Sequence, residues 1–290
     1  MSLRVLFAGT PTFALPGLHA CLEVSEVVGV LTAPDAPKGR GRRLMPPPVK
    51  EAALAAGVPV LQPERLGGDA REQVQRLKPD LLVCAAYGRI FGPKLMALFP
   101  EGGINVHPSL LPRFRGPTPI QATILAGDPE AGVTVQYLAP ELDSGDILAQ
   151  EAIALTGKER YPDLEERLAA LGGKLLREVI IDLEARTAVP RPQNHDEAVY
   201  CPKINKEDGR IDWSLPALEI DRMARAYDPW PGVFTFFDGE RMAIRELAIV
   251  GGRAEAGSPG SGDTAPRRDA AAGDTAPRRD AAAGDTAPRR

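Results

Sequence analysis

Asn105 and His107 stand two residues apart in the stretch INVHPSLLPRFRG, residues 104 to 116, and Asp143 follows in PELDSGD. An amide, an imidazole and a carboxylate together suit the transfer of an acyl group from one nitrogen to another. An amide N–H can hold a carbonyl oxygen as it gains negative charge. An imidazole, with a reference pKa of ~6.5, can move a proton near neutral pH or donate a hydrogen bond as imidazolium. A carboxylate nearby orients the ring and favours its charged form. Taken singly, each residue has a plainer reading: a core histidine, a turn amide, a turn-capping aspartate. Their joint placement at strand ends carries the chemical one, because open α/β sheets bind ligands beyond the C-terminal ends of their strands. There is no Ser or Cys in a G-x-S-x-G elbow, and Ser109 beside the histidine does not make a triad. Direct attack by a substrate amine, with no acyl-enzyme, is the simpler chemistry. Three histidines without an H-E-x-x-H cluster argue for no metal, and GTPTFALPG lacks the G-x-G-x-x-G of a dinucleotide site.

These residues need a rigid frame, and the surrounding pattern supplies one. LRVLFAG (3 to 9), EVVGVLTA (26 to 33), DLLVCAAYG (80 to 88) and GGINVHPS (102 to 109) are short apolar runs that suit buried parallel strands. Helical stretches lie between them: FALPGLHACLEV (13 to 24), VKEAALAAG (49 to 57), REQVQRLK (71 to 78) and PKLMALF (93 to 99). This alternation predicts an α/β fold, a doubly wound and mostly parallel sheet. TPIQATILAGD (118 to 128) predicts a helix behind the motif, and residues 131 to 155 predict two strands joined through Asp143-Ser144-Gly145-Asp146. Residues 161 to 187 form one long amphipathic helix, weakened in its middle by Gly172-Gly173.

Three segments break the rhythm. Residues 34 to 50, PDAPKGRGRRLMPPPVK, hold five prolines, two glycines and five basic residues against one Asp, and predict a long exposed loop. It is either a solvated basic linker or a phosphate-seeking finger on an otherwise acidic protein. Residues 188 to 210 have little periodicity and predict an interdomain linker, followed by a helix (216 to 228) and a hairpin (232 to 250) turning at Asp238-Gly239. From Gly251 the aromatics vanish and DAAAGDTAPRR repeats, which predicts a disordered tail with nothing to bury.

The totals exclude several classes. With 290 residues and 43% hydrophobic content, the chain suits one large or two modest domains. A net charge of -4 shows no global basic excess, so any nucleic-acid contact must be local. The N-terminus does not read as a signal peptide, and no apolar run approaches the ~18 residues of a membrane span. Three scattered cysteines, Cys21, Cys84 and Cys201, argue against disulfides and for a reducing, cytoplasmic setting without a membrane partner.

At this point the residues resemble one family. INVHPSLLPRFRGPTPIQATILAGD with GVTVQYLAPELDSGDIL is similar to the formyltransferases that use 10-formyltetrahydrofolate. The basic loop and KINKEDGRIDWSLPALEIDRMARAYDPWPG resemble the branch of that family whose acceptor is methionyl initiator tRNA, in translation initiation. The resemblance implies a formyltransferase catalytic domain over 1–189, a linker over 190–206, and a β-rich OB-like tRNA-binding domain over 207–250, with the disordered tail at 251–290. An OB barrel needs about five strands and only about two are visible, so that domain reads as truncated. The resemblance further implies Asn105, His107 and Asp143 as the catalytic trio, with Asn105 and protonated His107 holding the oxyanion. It places folate against Ser109, Leu110, Leu111 and Pro112. The basic loop would enter the acceptor stem through Arg40, helped by Lys38, Arg42 and Arg43, while Arg113 and Arg115 would meet the folate's acidic tail or the RNA end. A monomer is the expectation. Two rivals remain: the same chemistry on an amino-sugar nucleotide or glycinamide ribonucleotide, and a catalytically silent tRNA-binding protein.

Overall fold

In strand β1 (Arg4–Gly9), Val5, Leu6, Phe7 and Ala8 are all fully buried. They alternate between two cores: Val5 and Phe7 face one, Leu6 and Ala8 the other. Only a strand covered on both sides needs four apolar residues in a row. The computed structural model, which describes residues 2–38 and 43–250, shows what covers it. Helix α1 (Leu15–Val24) follows β1 on the first face, and β2 (Glu26–Leu31) returns parallel beside it. A short antiparallel ribbon comes next, β3 (Ala36–Lys38) with β4 (Arg43–Met45), and then α2 (Pro48–Ala55). Beyond these lie β5 (Val60–Leu61), α3 (Gly68–Leu77), β6 (Leu81–Ala85), α4 (Pro93–Met96) and β7 (Gly103–His107). The sheet-bearing part of the chain ends with α5 (Pro119–Ala126), β8 (Glu130–Tyr137), β9 (Ile147–Ala154) and the long α6 (Tyr161–Ala185).

The seven-stranded sheet runs β5-β2-β1-β6-β7-β8-β9. Its first five strands are parallel, and β8 and β9 are antiparallel additions. The chain winds outward from β1 to β5 and then resumes at β6 on the other side of β1, so the winding reverses between β1 and β6. α1, α2 and α6 contribute to the first core, and α3 and α4 to the second through Val74 and Leu95. The predicted doubly wound sheet is therefore present.

Four local differences have physical causes. Gly172-Gly173 does not weaken α6: an added Cβ would stand 2.8 Å from Val106 or Pro16, so the pair lets α6 close onto β7 and the start of α1. The stretch 34 to 50 is not simply a loop, since Ala36–Lys38 and Arg43–Met45 form a ladder; its tip, with Arg40 and Arg42, lies outside the described residues. β5 has two residues, too few for a sequence pattern. The stretch 188 to 210 is no free spacer, because Gln193, Cys201 and Ile204 are buried.

After that strap come α7 (Ala217–Ala226) and the hairpin of β10 (Val233–Phe237) and β11 (Glu240–Ile244). Asp238 and Gly239 both take positive φ, 49° and 81°, as a two-residue turn matched to strand twist requires. The peptide at Arg210–Ile211 adds to β10 through Ile211 N–H and Phe234 O at 2.8 Å. Residues 1–249 form one compact unit, and the repeat tail at 251–290 lies outside the described residues. Among the described residues no helix is long and apolar enough to cross a membrane.

Candidate active site

INVH and VTVQ both alternate apolar with polar residues, and the sheet pairs them. Ile104 and Val106 of β7, with Val133 and Val135 of β8, face the core under α6. The pleat sends the alternate residues to the opposite face. There Asn105 pairs with Gln136, His107 with Thr134, and Thr134 in turn with Gln150 on β9. The loop after β7 covers this polar strip, fastened by Thr134 Oγ1, which donates to Ser109 O at 2.7 Å and accepts from Leu111 N–H at 3.2 Å.

The strip places Asn105, His107 and Asp143 together. Asp143 has a left-handed backbone, φ 50°, which turns its side chain back toward β7. Its Oδ2 stands 3.7 Å from His107 Nδ1, with the two side chains only 12% and 6% exposed. His107 Nε2 lies 2.9 Å from Phe114 O. A carbonyl can only accept, so Nε2 carries a hydrogen and Nδ1 is the ring atom turned to the carboxylate. The Asn105 amide makes no side-chain hydrogen bond within the described residues and keeps part of its surface open. It is the free donor of the three.

Three consecutive residues hold the other two. Phe114 O takes the His107 hydrogen, and Gly116 N–H donates to Asp143 Oδ2 at 2.8 Å. Between them, Arg115 N–H donates to Val199 O and Arg115 O accepts from Cys201 N–H, each at 2.8 Å. The strap is thus a short strand laid against 114–116. Gly116 sits at φ 117°, and a Cβ there would collide with the Cys201 carbonyl. Only glycine fits this junction.

Two buried thiols lie close by. Burial pushes Cys84 up to about 12 and also raises Cys201, with the Asp143 charge adding to both. Neither forms a thiolate near neutral pH, which agrees with transfer that bypasses an acyl-enzyme.

The structure corrects one assignment outright. Arg115 is 1% exposed and meets no solvent partner, so it cannot reach a folate tail or an RNA end. Arg113 is exposed but engaged with Asp128 through two 2.9 Å hydrogen bonds, while its guanidinium lies 4.4 Å from the Phe114 ring centroid. His107 gives its Nε2 hydrogen to Phe114 O, so a protonated ring would have Nδ1–H as its remaining donor. Of the four residues tied to folate, Ser109 and Leu111 are buried, and Ser109 Oγ donates within the loop to Arg113 O at 2.7 Å. Leu110 and Pro112 remain half-buried. Arg43 is exposed on β4. Sequence reasoning passed over Thr134, Gln136 and Gln150, although their alternation in β8 and β9 mirrors that of INVH. It also passed over Gln193, which no pattern marks.

Sheet order, polar strip and trio together define the class. A formyl transferase model matches residues 1–180, and a formyl transferase C-terminal domain model matches residues 203–270. The chain belongs to the formyl transferase family of enzymes. Among its relatives, the methionyl-tRNA formyltransferase of Treponema denticola is 47% identical over 255 residues, covering 85% of this chain and 79% of that one. The methionyl-tRNA formyltransferase of Chloroflexus aurantiacus is 47% identical over 250 residues, covering 86% and 81%. Among solved structures, the sugar 3N-formyl transferase WlaRD, determined in the presence of dTDP and 5-N-formyl-THF, superposes with a TM-score of 0.63 at 16% identity, covering 83% of this chain and 85% of that one.

Proposed function

We propose that this chain transfers the formyl group of 10-formyltetrahydrofolate to the α-amine of methionyl initiator tRNA, in the cytoplasm. The observation that carries the chemistry is a free amide, Asn105, beside an imidazole and a carboxylate held by backbone on one polar sheet face. The amine lone pair attacks the formyl carbon, and the carbonyl oxygen becomes an oxyanion. Asn105 N–H donates to that oxygen. His107 and Asp143 form the proton-handling pair: the ring is fixed through Nε2, and Nδ1 with the carboxylate takes the proton the amine loses. The carbon–N10 bond then breaks as that pair passes the same proton on to N10, so the proton lost by the amine ends on the leaving nitrogen. Much of the rate comes from holding amine and formyl in register. Folate would lie along the half-buried Leu110 and Pro112, with Ser109 and Leu111 shaping the loop beneath. Lys38 and Arg43 of the β3 and β4 ribbon, with Arg40 and Arg42 between them in the sequence, would grip the acceptor stem. Identity to methionyl-tRNA formyltransferases over most of the chain supports that acceptor. The three buried free thiols suit a reducing compartment.

The test is formyl transfer from 10-formyltetrahydrofolate to charged initiator tRNA, run beside an amino-sugar nucleotide and glycinamide ribonucleotide. Transfer to the tRNA alone is expected. Preference for a small amine would overturn the acceptor, and tRNA binding without transfer at saturating substrate would overturn the chemistry.

A further inference from the structure

The strap between α6 and α7 carries a buried amide with all its polar atoms engaged. Gln193 is 6% exposed. Its Oε1 accepts from Arg115 Nε at 3.1 Å and Nη2 at 2.6 Å. Its Nε2 hydrogens serve Gln136 Oε1 at 3.0 Å, Asp143 O at 2.9 Å and Gly145 O at 2.7 Å. This orientation has no alternative. Rotated by half a turn, the amide would set N–H against a guanidinium and an oxygen against three acceptors.

Arg115 is itself locked. Its Nη1 reaches Tyr200 OH and its Nη2 reaches His195 Nδ1, both at 3.2 Å. Gln136, which Gln193 grips, donates in turn to Asp143 Oδ1 at 3.3 Å. The network therefore holds Asp143 twice, by its backbone carbonyl and by its carboxylate. It does so where the backbone is left-handed, a conformation a non-glycine residue keeps only when its surroundings impose it.

We propose that Gln193 is a positioning residue: braced by Arg115, it fixes the turn at Asp143 and, through Gln136, aims the Asp143 carboxylate at His107. The strap thereby sets the catalytic geometry from outside the sheet. This rests on the proton-handling role given to Asp143 above.

The experiment is a double-mutant cycle on the full chain, read as steady-state formyl transfer to charged initiator tRNA. Gln193→Met keeps the length and removes every hydrogen bond. Its kcat is expected to fall on the order of 10- to 100-fold, the effect of a misplacement of about 1 Å. KM for both substrates should stay within about threefold. In an Asp143→Asn background the same change should cost nothing further, because the residue acts through that carboxylate. Unchanged kcat for Gln193→Met, or losses that multiply in the double variant, would overturn the proposal. Gln193→Glu keeps the acceptor of Arg115 and loses the amide donors, so it should match Gln193→Met; wild-type kcat in that variant would also overturn it. If Gln193→Met does not fold, Gln193→Glu carries the same cycle. Wild-type kcat for Asp143→Asn alone would instead remove the chemical reading on which this rests.

Discussion

The catalytic corner and the basic ribbon are built in opposite ways. At the corner, His107 and Asp143 are nearly enclosed, and each is held by backbone atoms of 114–116. In the ribbon, Ala36, Pro37, Arg43, Leu44 and Met45 are all exposed, and none belongs to either core. An isolated two-stranded ribbon is marginal in water. What secures this one is its foot: Lys50 Nζ reaches both Asp35 oxygens at 2.8 Å, while Gln62 Nε2 reaches Asp35 Oδ1 and Ala33 O, also at 2.8 Å. On the proposed function, the contrast follows from the tasks. Moving a formyl group needs atoms fixed before substrate arrives. Gripping a charged stem needs reach and positive charge, with rigidity required only where the reach begins.

That contrast can be broken at four points. His107→Ala should lower kcat on the order of 10²- to 10⁴-fold, the usual share of general acid–base groups, while tRNA affinity by filter binding stays unchanged. A matching loss of affinity would mean the corner also serves docking. Gly116→Ala forces a side chain against the strap at a φ that disfavours it; chemical denaturation should show a loss of ~1–3 kcal/mol, with kcat falling alongside. A neutral result there would show that the strap yields. Arg40→Ala should raise KM for charged tRNA more than for folate and reduce the slope of log affinity against log salt by about 1. Identical kinetics would end the role of the ribbon. Asp35→Asn is the mildest: KM for tRNA should rise about 3- to 10-fold, the scale of one ordinary net hydrogen bond, with kcat intact.

The Asp35 foot also has a pH signature with a defined sign. The Gln62 amide, and then Lys50, hold the Asp35 carboxyl below its usual range of 3.8. A carboxyl with a lowered folded pKa contributes stability that is fully present above its unfolded value and is lost as pH falls through the lowered one. The contribution of this residue to RNA affinity should therefore be constant between about pH 6 and pH 8, given a reference carboxyl near pH 4. A step in that range that vanishes in Asp35→Asn would contradict the foot as described.

Much of this was legible in the chain. Apolar runs separated by helical stretches place four of the five parallel strands, because burial on both faces leaves a continuous signature; the fifth, β5, is two residues long. The nearness of His107 and Asp143 was legible because both were read at strand-to-turn junctions, and the structure places them 3.7 Å apart. What stayed hidden depends on partners distant in sequence. Arg115 resembles any loop arginine until Gln193, 78 residues on, is seen to fold over it. Gln193 sits in RPQNH, where proline and charge suggest a spacer. The ribbon was hidden for another reason: five prolines in 34 to 50 mask a ladder only three residues deep on each side.

The strap at 199–201 also bears on how the molecule can be divided. A chimera joined at the end of α6 would give the catalytic half a foreign sequence where Gln193, Val199 and Cys201 now sit, and would unseat its own acid–base pair. A join placed beyond Cys201 keeps that half whole. On the proposed function, the chemical boundary of the enzyme thus falls sixteen residues past the last helix of its sheet, 201 − 185 from Ala185 to Cys201.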